Sequence, residues 1–155
     1  RDPSSLFFMV RYYFDGFCLA PMIADQDIDC SPTTPALRLE KGKSIALRNV
    51  FFETNEAELL DESIVQLNAL NRLLIDYPEM TIELRGYTDN RGEKEYNLSL
   101  SERRAQSVRT WLLEQDIPGP RVSAKGFGER DPIETNETEA GKARNRRVEF
   151  YIVDM

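Results

Sequence analysis

The stretch TIELRGYTDNRGEKEYNLSLSERRAQSVRTWLLEQ, residues 81–115, decides the fold class. Thr81-Ile82-Glu83-Leu84-Arg85 alternates in polarity, which places Ile82 and Leu84 on one face of a half-buried strand. Gly86 through Lys94 reads as a charged loop. Over 99–115 the helical period returns through Ala105, Val108, Trp111 and Leu112, with Ser99 or Ser101 as a cap. Ile117-Pro118-Gly119-Pro120 stops that helix. A strand, a polar loop and a helix in this order put a ligand crevice at the carboxyl end of the strand.

The same alternation extends outward on both sides. Ile45, Leu47, Val50, Phe51 and Phe52 form a β-favouring run. Leu59, Leu60, Ile64, Leu67, Leu70, Leu73 and Leu74 repeat at helical spacing until Tyr77-Pro78. Val122 to Lys125 is a short strand, 126–138 a loop, and Val148, Phe150 and Ile152 alternate in a terminal strand. The expected fold is α+β, β-α-β-α-β-β, with two main helices packed on a small mixed sheet.

The composition changes near residue 40. Tyr12-Tyr13-Phe14, Asp15-Gly16 and Phe17 carry a hairpin signal, and 24–36 has the look of a linker. Residues 1–38 are therefore expected to be an N-terminal extension, the end of a preceding β-rich domain plus a linker, and 39–155 the main domain. Leu6-Phe7-Phe8-Met9-Val10 is too short to span a bilayer, and the opening Arg1 suggests a piece of a longer polypeptide. Cys18 and Cys30 are too far apart for a C-x-x-C pair, and the sequence leaves their bonding open.

Twenty Lys plus Arg against twenty-seven Asp plus Glu give a formal charge of −7, which argues against nucleic-acid binding. There is no histidine, so Ser-His-Asp and Cys-His catalytic sets are excluded. Neither a cofactor nor a metal site is expected. Asp89 lies just past the central strand, and Arg104 follows fifteen residues later in the helix. Such a pair either joins as a structural ion pair or flanks a crevice and receives the opposite charges of one ligand. Three arginines, Arg144, Arg146 and Arg147, enter the last strand, where Arg147 shares a face with Glu149 and Tyr151. A competing reading pairs Asp89 with Glu93 or Glu95 as the two carboxyls of a glycan or peptide hydrolase.

Four motifs add a resemblance. Gly-Tyr-Thr-Asp-x-x-Gly (86–92), Tyr-Asn-x-x-Leu-Ser-x-x-Arg-Ala (96–105), Gly-x-Gly-Glu (126–129) and Asn-x-Thr-x-x-Gly-x-x-x-Asn-Arg-Arg-Val-Glu (136–149) together resemble the OmpA-like peptidoglycan-binding domain, over roughly residues 40–153. The resemblance implies a non-catalytic module that grips the diaminopimelate of peptidoglycan stem peptides. Such a module tethers an outer-membrane or periplasmic protein to the cell wall of a Gram-negative bacterium, at the periplasmic face of the outer membrane. By the same resemblance Asp89, after Thr88, holds a charged end of diaminopimelate and Arg104 takes its carboxylate. Asn97 and Arg147 match ligand-contacting positions, and Thr54 and Asn55 fall at a first turn that also contacts ligand. Tyr87 stands where many members of that family carry His.

Overall fold

The computed structural model describes residues 12–14, 17–20, 36–47, 50–52 and 55–155. Three short strands come first: β1 (Tyr12–Phe14), β2 (Phe17–Ala20) and β3 (Ala36–Arg38). β1 and β2 are antiparallel, with Phe14 opposite Phe17 across the Asp-Gly pair, as the hairpin signal requires. β3 joins β2 in parallel, a pairing that nothing in the sequence indicated. Cys30, the other half of any Cys18 pairing, and Thr54 lie outside the described residues.

The main sheet has four strands in the order β4-β7-β5-β6, from β4 (Ser44–Leu47), β5 (Thr81–Tyr87), β6 (Val122–Gly128) and β7 (Val148–Asp154). β7 runs antiparallel to both neighbours, and β5 and β6 are parallel, so the sheet is mixed as expected. Helices α1 (Ile64–Asp76) and α2 (Lys94–Glu114) provide the two main connections, and a third helix, α3 (Glu139–Asn145), precedes β7. Among the described residues no helix is long and apolar enough to cross a membrane.

One face of the sheet is sealed by the helices. Ile82, Leu84, Val148, Phe150 and Ile152 are nearly inaccessible and meet Leu67, Leu70, Leu73 and Leu74 of α1 and Val108 and Leu112 of α2 in a single core. The sheet lies so close to α2 that a Cβ on Gly86 would sit 2.0 Å from the Ser101 carbonyl oxygen, and only glycine fits. Arg121 closes the end of α1 by donating to the Leu74 and Tyr77 carbonyls, both at 2.7 Å. On the opposite face Arg85 lies over the Tyr151 ring at 3.7 Å, and Tyr87 stacks on Phe127.

Three expectations are corrected. The apolar run 45–52 is not one strand. The sheet strand ends at Leu47, and Phe52 forms an isolated bridge with Leu59 instead. The helix expected from residue 99 begins at Lys94, so Ser99 and Ser101 are not caps. Ser101 lies inside the helix and is fully buried. Its hydroxyl donates to the Leu98 carbonyl and accepts from Gly128 N–H. The strand expected to end at Lys125 runs on to Gly128, and between the expected 126–138 loop and the last strand lies α3, capped by Thr138 Oγ1 accepting from Gly141 N–H.

Candidate binding cleft

The carboxyl end of β5 opens into a cleft of about 460 Å³. Its floor is Tyr87, Thr88 and Asp89, one wall is α2 with Asn97, Leu100 and Arg104, and the opposite wall is Arg146 and Arg147. Val50, Phe51, Phe52 and Asn55 complete the rim. Local sequence builds each wall. Ser63, buried before α1, accepts from Phe51 N–H at 2.7 Å and donates back to the Phe51 carbonyl, which pins the 50–52 segment. Asn55 sits at the turn beyond it with φ 59, a left-handed conformation that asparagine tolerates.

Asp89 is almost wholly enclosed, yet both carboxylate oxygens are engaged. Oδ1 accepts from Arg91 N–H at 2.9 Å, and Oδ2 accepts from Arg146 Nη1 at 2.6 Å. The ion pair on Asp89 is thus made by Arg146, whereas the sequence reading weighed Arg104 as its partner and named Arg147, not Arg146, as a ligand-contacting position. Arg147 also lines the cleft, but its guanidinium is tied within the protein. Nε donates to Glu149 at 2.6 Å, Nη2 donates to the Asp131 carbonyl, and the group lies 3.9 Å over the Tyr87 ring.

On α2 the buried polar residues Asn97, Ser101 and Arg104 recur at i, i+4 and i+7, one face of the helix. Asn97 Nδ2 donates to the Arg91 carbonyl at 2.8 Å, so it holds the loop that carries Asp89. Arg104 is 8% exposed, donates from Nε to the Glu56 carbonyl at 3.0 Å, and stands 5.1 Å over the Phe52 ring. Burial and then the nearby Arg146 push the Arg104 guanidinium below its ordinary pKa, while Tyr96 and Asp89 pull the other way. Two guanidiniums therefore repel one another around one carboxylate. Thr88 Oγ1 is buried at the floor with no hydrogen-bond partner among the described residues.

Asn145 explains how Arg146 arrives there. It is fully buried, accepts from Ile133 and Glu134 N–H on Oδ1, and donates to the Glu134 carbonyl and Asn136 Oδ1. With Asn145 fixed inward, Arg146 ends α3 facing Asp89 and Arg147 begins the turn into β7. In contrast, Glu93 and Glu95 are exposed and do not line the cleft, so the carboxylate pair of the hydrolase reading is not assembled there. The geometry suits the binding of a small group bearing both charges.

This architecture defines a small α+β binding module with a charged cleft at the end of its central strand. The OmpA family profile matches residues 51–146, and the chain belongs to the OmpA family. Outer membrane protein Omp38 of Acinetobacter baumannii is 35% identical over 131 residues, covering 83% of this chain and 36% of Omp38. The peptidoglycan-binding protein ArfA of Mycobacterium bovis is 32% identical over 123 residues, covering 79% of this chain and 36% of ArfA. This chain therefore spans about a third of the length of either relative. The crystal structure of the peptidoglycan-associated lipoprotein from Burkholderia pseudomallei superposes with a TM-score of 0.62 at 30% identity, covering 66% of this chain and 87% of that one.

Proposed function

We propose that this domain is a non-catalytic peptidoglycan-binding module that grips the diaminopimelate of a stem peptide. It would tether an outer-membrane or periplasmic protein to the cell wall, through segments outside the domain, at the periplasmic face of the outer membrane. The observation that carries this reading is the convergence of Asp89, Arg104 and Arg146 on one open cleft. The names of two relatives, a peptidoglycan-binding protein and a peptidoglycan-associated lipoprotein, support the choice of ligand.

The free end of diaminopimelate carries an ammonium and a carboxylate on one carbon. In the proposed complex Asp89 receives the ammonium, and Arg104 donates its fork to the carboxylate. Thr88 Oγ1, buried and unpartnered, supplies a further polar contact from the floor. Asn97 fixes the Asp89 loop, Arg147 stiffens the floor through Tyr87, and Asn55 borders the entrance. The net charge of −7 does not oppose the zwitterion, because charges more than about 8 Å away are screened at physiological ionic strength.

Incubation with purified sacculi tests the reading. The protein is expected to pellet with diaminopimelate-containing sacculi and to release no soluble fragments. It is expected to pellet less with lysine-containing sacculi, whose side chain lacks the second carboxylate. Liberated muropeptides, or equal retention on both wall types, would overturn it.

A further inference from the structure

The place a ligand ammonium would take on Asp89 is held by the protein's own cation. Arg146 Nη1 lies 2.6 Å from Asp89 Oδ2, and Oδ1 is taken by Arg91 N–H. The Asp89 side chain is only 8% exposed, so a second cation cannot simply be added beside the first. An incoming ammonium must replace Arg146. The Arg146 side chain is 38% exposed and has solvent to move into. Its backbone does not need to follow, because its N–H is fixed to the Lys142 carbonyl at 3.0 Å.

Displacement has a cost that depends on the ligand. Once Arg146 leaves Asp89, its charge stands near Arg104 without its counter-ion, and the two guanidiniums already repel. A ligand that brings only an ammonium exchanges one ion pair for another and leaves that repulsion unrelieved. One that brings only a carboxylate leaves Asp89 and Arg146 paired. A ligand with both charges on one carbon satisfies Asp89 and offers a carboxylate to the cationic side.

We propose that Arg146 is the specificity-determining residue of this cleft, an internal counter-ion that admits a ligand only when it presents an ammonium and a carboxylate together. The proposal rests on the clamp reading above and adds a residue and a selection rule to it. Discrimination then comes from penalising the wrong ligand as well as from contacts to the right one.

Calorimetric titration of the intact chain with meso-diaminopimelate and with cadaverine, which has two ammonium ends and no carboxylate, tests the rule. The wild type is expected to bind diaminopimelate at least about tenfold more tightly than cadaverine. Arg146→Gln uncovers Asp89 at a half-exposed position, and the ratio of the two Kd values is expected to shrink by about tenfold or more. Arg146→Lys, which retains a cation, is expected to keep most of the ratio. If Arg146→Gln binds diaminopimelate with an unchanged ratio, the counter-ion role is wrong and the clamp survives. If the wild type binds neither diaminopimelate nor sacculi, the clamp itself falls, and the rule with it.

Discussion

Asp89 and Arg146 are separated by 57 positions in sequence and by 2.6 Å in space. Two buried asparagines make that approach possible. Asn97 holds the loop that carries the acid, and Asn145 holds the turn that delivers the base. Asn97 Nδ2 also donates to Glu129 at 3.4 Å, and Arg91 pairs with Glu139 at the start of α3, so the two braced halves are linked to each other as well.

The Asn145 brace is the more heavily used. Asn145→Ala would remove a fully buried side chain and strip partly buried hydrogen bonds from two backbone N–H groups and one carbonyl of residues 133–134. The expected loss is about 3 kcal/mol, from unsatisfied groups that cost about 1–3 kcal/mol each. The midpoint of urea unfolding measures it. Diaminopimelate binding should weaken as well, because Arg146 loses its fixed origin.

Gly86 and Gly92 separate packing from backbone conformation. Gly86→Ala drives a methyl into the Ser101 backbone, where neither side can yield, and should cost at least about 3 kcal/mol. Gly92 has φ 89, and a Cβ there would come no nearer than 3.7 Å to Asn97 Oδ1, so Gly92→Ala meets only left-handed strain, about 1–2 kcal/mol. Thermal unfolding of the two variants should rank them in that order.

Alkaline stability should report Tyr87. Burial, reinforced by Glu149, holds its phenol above the ordinary value of 10.0 despite the lowering effects of Arg147 and Arg85. The folded state thus keeps a proton that the unfolded chain gives up. This contribution is present in full below the unfolded value and is lost as pH rises through the folded one. Tyr77, raised by burial and by Asp76, acts in the same direction. Tyr87→Phe should flatten the fall in urea midpoint between mildly and strongly alkaline buffer; an unchanged fall would assign it elsewhere.

Much of the fold was legible because the core is apolar and periodic. The alternation over 81–85 and 148–153 and the leucine repeat of α1 match buried faces. The first turns of α2 were illegible for a physical reason. Their buried positions include Asn97 and Ser101, and their exposed ones include Tyr96 and Leu98, so the hydrophobic period is inverted where the helix faces the cleft. α3 was missed because its buried residues are Gly141 and Asn145, which give no apolar signal. Asp89 and Arg104 stood out as a pair bordering a crevice, whereas Arg146 did not. Period-two alternation predicts Arg147 with Glu149, and the structure has that contact, but Arg146 belongs to the helix end before the strand begins.

The most direct measurement is titration of meso-diaminopimelate into the wild type and into Asp89→Asn, which removes the charge and keeps the shape. With near-ultraviolet circular dichroism unchanged, the variant is expected to lose affinity by about a hundredfold or more, in keeping with the removal of one member of a desolvated charge pair. Equal affinity in the two proteins would contradict the clamp.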